Sequence, residues 1–250
     1  SESVMNSSYG CYSLRSRYVF MSNFEIQIGH HMTTLFRLDA SILPTTSSSR
    51  ELADLVEKEW LSTHPTSTVV RRDLSVEPIP ATAWADAVTS NFTPEAERTD
   101  GQRAARALST QLADELVEAD ALLFAVPLYN YGVSQHFKTW FDLAYTDPCI
   151  DPQGTALHGK PATLVTVLGG NYAPGTPKEG WDHSTSWLRR VLADVWGLDL
   201  RVVERPFTLV GVNPALDAFA AVAADLKQTA ETHAVRSGRE IAELTGSASS

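Results

Sequence analysis

The sequence contains few cysteines, fewer basic than acidic residues and no long apolar run. Each of these shortages excludes some classes of protein. Its 250 residues include two cysteines, Cys11 and Cys149, which are too few for a disulfide framework and predict a reducing, cytoplasmic location. No apolar stretch approaches the roughly 20 residues of a membrane span, so we expect no membrane partner. The formal net charge of -10 argues against nucleic acid as a partner.

Several common catalytic motifs are also missing. The sequence has no GxxxxGK[ST] phosphate loop, no GxGxxG fingerprint for a stably bound dinucleotide, no HExxH zinc motif and no GxSxG nucleophile elbow. His136, His158 and His183 are dispersed, and we expect each to be a surface or supporting residue rather than a metal ligand. The sequence therefore gives no sign of the reactions that these motifs perform.

From residue 33 onward the sequence alternates between strand-like and helix-like patterns. Its length and its 43% of hydrophobic residues suit one large domain. Apolar segments of strand length occur at 34–38, 68–72, 121–126, 162–168 and 202–210, and a helical pattern follows each of them. Because strands joined through helices pair in parallel, we predict an α/β fold with a doubly wound five-stranded parallel sheet and helices on both faces.

Residues 1–31 differ from the rest of the chain. Their short apolar stretches have no clear partner strand, and Gly29-His30-His31-Met32 looks like a cloning junction or an upstream extension. We therefore expect residues 1–31 to be an N-terminal extension outside the fold, and residues 32–250 to form the domain.

Capping signals predict where several helices begin. Ser47 is a suitable N-cap for the helix after the first strand. Thr99 and Gln102 have the spacing of a capping box. The predicted helices span about 47–60, 99–118, 133–143, 184–196 and 214 onward, with an irregular stretch at 78–92.

The run 121–126 leads into the stretch Pro127-Leu128-Tyr129-Asn130-Tyr131-Gly132, around which the chain is organised. The run has strand length and no helical period, so it reads as a central strand buried on both faces. Pro127 lacks an amide and is expected to end the ladder, while Asn130 and Gly132 supply turn chemistry. A strand, a tight turn and a helix place ligands at the carboxyl edge of an open α/β sheet.

Three loops are expected to meet at that edge. The first, residues 41–50, carries several hydroxyls and a helix N-terminus, where free amides and the helix dipole favour an anion such as a phosphate. In the second, Asn130 offers a donor and an acceptor, and two tyrosines offer flat faces. In the third, Gly169-Gly170 lets the backbone approach a planar ligand and present amides to it.

This combination resembles the flavodoxin-like FMN-dependent NAD(P)H:quinone oxidoreductases and azoreductases, from about residue 32 to the final helix. The family's serine cluster is matched by Ser41, Ser47, Ser48 and Ser49. Its P-[ML]-Y-N-F motif is matched by Pro127, Leu128, Tyr129, Asn130 and Tyr131, with Lys138, Phe141, Asp142 and Leu143 following. Its glycine pair is matched by Gly169 and Gly170, but Val167-Leu168 stands where many azoreductases have Ser-Arg.

The resemblance implies FMN as the cofactor and NADH or NADPH as the co-substrate. The serines would contact the phosphate, residues 127–131 and 167–170 would contact the ring, and Tyr172 and Trp181 would wall the substrate pocket. Flavin N5 would take the hydride and pass it by a ping-pong mechanism to a quinone, azo compound or related conjugated acceptor, with no catalytic side chain and no metal. Members are usually homodimers, so a homodimer is implied.

Two other functions remain open from the sequence. The protein could be a pathway-specific flavin-dependent reductase that tailors an aromatic natural product. Less favoured is a flavodoxin-like binding module without catalysis, because the serine cluster and Tyr129-Asn130 are intact.

Overall fold

The computed structural model describes residues 32–43 and 45–247, in which a sheet lies between two layers of helices. The strands are β1 (Thr34–Asp39), β2 (Thr68–Asp73), β3 (Ala121–Tyr129), β4 (Gly132–Val133), β5 (Pro161–Val167) and β6 (Asp199–Arg205). The α-helices are α1 (Ser48–Thr63), α2 (Ala83–Ser90), α3 (Asp100–Glu118), α4 (Gln135–Ala144), α5 (Thr185–Arg189) and α6 (Ala220–Ser247). A π-helical turn, Arg190–Val195, continues α5, and a 3-10 turn, Pro214–Phe219, leads into α6.

The sheet confirms the predicted doubly wound architecture. Five strands pair in parallel in the order β2-β1-β3-β5-β6. The chain moves outward from β1 to β2 and then crosses back to β3, so the strand order reverses between β1 and β3, which is where such sheets bind ligands. The two-residue strand β4 was not predicted and pairs antiparallel with the end of β3.

Helices cover both faces of the sheet, as predicted. Phe36 and Phe124 point to one face, where they pack with Trp140 in a core shared with α2, α3, α4 and α5. The neighbouring residues Leu35 and Leu123 point to the other face, into a core shared with α1 and α6. This period of two along a strand is what makes each strand apolar on both sides.

Strand β3 continues through Pro127 to Tyr129, so the prediction that Pro127 ends the ladder is wrong. Pro127 pairs with Val167 of β5, while the pairing of β3 with β1 stops at Ala125. Alternate residues of a strand direct their backbone groups to the same neighbour, and Ala125 accepts the amide of Ala40 on the β1 side. The missing amide of Pro127 therefore faces the side where β1 has already ended.

Other predicted boundaries hold in part. The capping box of Thr99 and Gln102 is confirmed, and α3 ends at Glu118 as expected. The stretch 78–92 was predicted to be irregular, but it contains α2, whose Ala83 and Ala87 are buried in the core. Strand β6 ends at Arg205 rather than 210, because Pro206 follows it and the chain turns.

The expectations of no membrane partner and of an N-terminal extension can be compared with the described residues. None of the helices in the described part of the chain is long and apolar enough to cross a membrane. The predicted extension, residues 1–31, lies outside the described residues.

Candidate active site

A cavity of about 1050 Å³ lies at the carboxyl ends of β1, β3 and β5, at the point where the strand order reverses. Its wall comes from the three loops that the sequence singled out, and the segment after β6 closes the remaining side. The predicted site residues that line it are Ser41, Ser47, Ser48, Pro127, Leu128, Tyr129, Asn130, Tyr131, Val167, Gly169, Gly170 and Tyr172.

Three predicted site residues lie behind or beside this wall. Ser49 is fully buried, and its hydroxyl lies 2.9 Å from the hydroxyl of Ser47. Leu168 is also buried, next to the glycine pair. Trp181 is half-exposed and packs edge-on against Tyr131, with ring centroids 5.4 Å apart. These three side chains support the lining residues rather than facing the cavity.

The first loop presents the N-terminus of α1 to the cavity. Ser47 is the N-cap residue, as predicted, with an extended backbone at φ -142° and ψ 126°. Its hydroxyl makes no capping hydrogen bond and pairs with Ser49 instead. The predicted N-cap position is therefore confirmed, but the expected side-chain capping bond is not formed. Glu51 donates its amide to the Ser47 carbonyl, and the amides before it have no intrahelical acceptor. Hydroxyls and amides together form an anion-binding helix terminus.

Tyr129 braces this loop through its hydroxyl, a contact that the sequence did not reveal. The hydroxyl lies 3.1 Å from Ser41 Oγ and accepts the amide of Ile42 at 3.2 Å. Ser41 Oγ also accepts the amide of Leu43 at 3.1 Å. The end of β3 and the loop after β1 are thereby fixed to each other.

Arg50 clamps the same loop from the side of β2. Its guanidinium donates to both carboxylate oxygens of Asp73, at 2.7 and 2.8 Å, and to the Leu43 carbonyl at 3.1 Å. Burial alone would raise the pKa of Asp73, but hydrogen bonds from Arg50 and Ser75 outweigh burial and hold that pKa below its usual value. The clamp joins the loop after β1 to the end of β2.

A second, more deeply buried arginine belongs to the same region. Arg37 of β1 is almost fully buried and donates to Asp39 at 3.0 Å, to Asp54 at 2.6 Å and to Glu57 at 2.9 Å. Burial would lower the pKa of Arg37, but the charge of Asp39 and the three sets of hydrogen bonds raise it above its ordinary value. Because Asp39 also lies 3.5 Å from Arg50, the two arginines belong to one charged network.

The second loop is a tight turn between β3 and β4. Asn130 and Tyr131 have φ angles of 50° and 67°, and they lie between the paired residues Tyr129 and Gly132. Two consecutive positive φ angles are typical of the two-residue turns that join antiparallel strands. The Tyr131 carbonyl accepts the amide of His183 at 3.0 Å, which ties the turn to the third loop.

The glycine pair is aligned by the segment that follows β6. The carbonyls of Gly169 and Gly170 accept the amides of Leu209 and Phe207, both at 3.1 Å. A Cβ at Gly169 would meet the Leu209 side chain at 2.8 Å, so a larger residue here would have to displace that side chain. In the described part of the chain the amides of both glycines have no acceptor, and they are available to a ligand.

The remaining side of the cavity, which we call the far wall, was missed by sequence reasoning. It consists of the apolar residues Phe207, Leu209, Val212, Leu216, Phe219 and Val222. Phe207 and Phe219 stack with centroids 5.2 Å apart. The available signal was Pro206, which ends β6 and lets the chain turn across the cavity; the prediction extended the strand past it.

The donors at this site suit a flat ligand with an anionic tail. Hydroxyls and helix amides lie at one end, glycine amides at the other, and ring faces and apolar side chains between them. Across residues 32–43 and 45–247, no group of three or more histidine, cysteine or acidic residues is placed to hold a metal ion.

Comparison with known proteins places this geometry in a family. A family described as having a flavodoxin-like fold matches residues 32–233. An FMN-dependent NADH:quinone oxidoreductase of Streptomyces avermitilis is 35% identical over 214 residues, covering 85% of this chain and 98% of that protein. One of the same name from Frankia casuarinae is 37% identical over 211 residues, covering 83% and 98%.

A solved structure supports the fold. The azoreductase of Bacillus anthracis superposes with a TM-score of 0.68 at 18% identity, covering 84% of this chain and 100% of that one. With relatives matched over nearly their whole length, and with the ligand edge where a flavodoxin-like sheet has it, the chain belongs to the family of FMN-dependent NADH:quinone oxidoreductases.

Proposed function

We propose that the cavity binds FMN and that the protein uses it to transfer reducing equivalents from NADH to a quinone or a related conjugated acceptor. The observation that carries this proposal is the convergence of three loops on one cavity, with a hydroxyl-lined helix terminus at one end and free glycine amides at the other. The names of the relatives supply the cofactor and the reductant.

Different residues of the cavity would bind different parts of such a cofactor. Ser47 and Ser48, with the first amides of α1, would hold the phosphate without adding charge. Asn130 would meet the ring edge, while the amides of Gly169 and Gly170 would stabilise negative charge on the ring. FMN, when bound, supplies hydride acceptance and donation at its N5 atom. The protein residues bind and orient; none of them needs to act as a nucleophile.

We also propose a ping-pong order of substrates. One cavity serves both the reductant and the acceptor, and the far wall leaves a single apolar side for a flat substrate. The two substrates would therefore occupy the same place in succession. NADPH as an alternative reductant, a homodimer and a cytoplasmic location remain part of the proposal.

Absorbance and kinetics test the proposal. Protein reconstituted with FMN should keep its oxidised-flavin absorbance through gel filtration and should oxidise NADH when a quinone is present. Double-reciprocal plots at several quinone concentrations should be parallel. Colourless protein with no FMN binding by calorimetry would contradict the cofactor, and intersecting plots would contradict the substrate order.

A further inference from the structure

One charged side chain, Lys178, reaches the wall of the cavity. Every other lining residue in the described part of the chain is neutral. Lys178 belongs to the loop after β5, on the side of the cavity that Tyr131 and Tyr172 also line. A lone cation on an otherwise neutral wall makes this side of the cavity favour negatively charged ligands.

Two tyrosine rings hold the ammonium group in place. Lys178 Nζ lies 5.4 Å from the ring centroid of Tyr131 and 6.0 Å from that of Tyr172. The two rings meet edge to face at 6.4 Å, and Trp181 supports Tyr131 from behind. These cation–π contacts position the charge without neutralising it.

No carboxylate within the described ranges forms an ion pair with Lys178, although acidic residues lie close in sequence. The carboxylate of Glu179 accepts the Gly175 amide at 2.8 Å and forms no ion pair with Lys178. Asp182 accepts the amides of Ser184 and Thr185 at 2.8 and 2.9 Å. The positive charge therefore remains available to a ligand.

Lys178 is separated from the place where the cofactor phosphate would bind. The serines follow β1 and Lys178 follows β5, and β3 lies between these two strands. The ammonium group lies against the rings of Tyr131 and Tyr172, and Tyr172 is one of the residues expected to wall the substrate pocket. We therefore assign the cation to the substrate side of the cavity.

We propose that Lys178 recognises an anionic group on the electron acceptor, so that the preferred substrate class is a conjugated ring bearing a carboxylate or sulfonate. This inference rests on the proposed function. The ring of such an acceptor would lie among Tyr131, Tyr172 and the far wall, and its charged substituent would pair with the ammonium group.

The test compares 1,4-naphthoquinone with its 2-sulfonate as acceptors for FMN-loaded protein. Lys178→Gln should raise KM for the sulfonate about tenfold at low ionic strength and leave KM for the neutral quinone within about twofold. Lys178→Arg should restore the discrimination. Lys58→Gln, an exposed lysine on α1 that does not line the cavity, is the matched control and should change neither value.

The outcomes separate this inference from the function on which it rests. Equal KM changes for the two quinones, or no change for either, would overturn the inference alone. A rise in KM for NADH without one for the sulfonate would assign Lys178 to the reductant and also overturn it. Unmodified protein that binds no FMN and reduces neither quinone would overturn the proposed function, and the inference with it.

Discussion

The first loop and the far wall enclose the same cavity, yet the side chains behind them differ in kind. Behind the first loop lies a network of partly and fully buried arginines and carboxylates, in which Arg50 donates hydrogen bonds to Asp73 and the Leu43 carbonyl. The far wall consists of apolar side chains, and Val212 is 73% exposed. Fixed, directional contacts suit a ligand that never changes, whereas soft apolar contacts tolerate ligands of varied shape.

This difference suggests a division of labour within one cavity. Under the proposed function, the first loop holds one anionic group at one position, as a resident cofactor requires. The far wall and Lys178 would then select among exchanging substrates. Variants at the two ends should therefore affect different quantities: cofactor affinity at the first loop, and substrate KM at the far wall.

The largest effect should come from a charge placed at the first loop. We expect Ser47→Asp to weaken FMN binding by about 100-fold, since a carboxylate beside a phosphate is repelled strongly at a partly desolvated site. Aspartate is a good N-cap, so the melting temperature should change little. Isothermal titration calorimetry and thermal unfolding measure the two quantities.

The control for this variant is a second N-cap residue, Thr99, which does not line the cavity. Thr99→Asp makes the same change at the start of α3, where the side chain caps Gln102, and it should leave FMN affinity unchanged. Unchanged affinity in Ser47→Asp would mean that the phosphate binds elsewhere.

A smaller loss of cofactor affinity should follow when the clamp is removed. Arg50→Ala frees the Leu43 carbonyl and removes the ion pair of Asp73, and we expect FMN affinity to fall about tenfold as the loop loses its fixed geometry. Arg103→Ala removes an exposed arginine paired with Asp100 and should have no effect on FMN. Equal affinities in the two variants would show that the first loop keeps its shape without the clamp.

At the far wall we expect a variant to change the KM of the substrate and to leave FMN affinity almost unchanged. Phe219→Ala removes the ring stacked on Phe207 and should raise KM for a neutral quinone about fivefold, through lost apolar contact, with FMN affinity almost unchanged. Phe92→Ala, at a phenylalanine that is 86% exposed and outside the cavity wall, serves as the control. A loss of FMN affinity as large as that in Arg50→Ala would contradict the division between the two ends.

The smallest expected effect is a pH dependence of stability at the clamp. The folded-state pKa of Asp73 is lowered, so its stabilising contribution is complete above the unfolded pKa of about 3.9 and is lost as the pH falls through the folded value. The difference in unfolding free energy between the unmodified protein and Asp73→Asn should therefore be constant from about pH 7 to 5 and shrink below about pH 4. Urea denaturation at several pH values measures it; a constant difference down to pH 3 would contradict the lowered pKa.

Features encoded by local sequence could be predicted well. The alternation of apolar runs with helical periods was enough for the five parallel strands and for helices on both faces, because each element is specified by its own residues. The serine cluster, the turn at 130–131 and the glycine pair could be located from turn and capping chemistry, and strand ends brought them together.

Features that depend on contacts between residues far apart in the sequence could not be predicted. The grip of Arg50 on Asp73 joins residues 23 positions apart, and the Tyr129 hydroxyl meets a loop 88 positions earlier. The local sequence around either residue does not predict such a contact. The course of the far wall was missed for a related reason: residues 207–210 are apolar enough for a strand, and their pairing with the glycine loop decides otherwise.

The positive φ angle of Tyr131 sets stability against activity at one position. A non-glycine residue in this conformation costs roughly 1–2 kcal/mol, which Tyr131→Gly would relieve. The same substitution would remove the ring that faces Lys178 and Tyr172. Under the proposed function, selection for thermal tolerance alone and selection for turnover would pull this position in opposite directions. A library screened only for heat resistance would tend to lose a ring that lines the cavity.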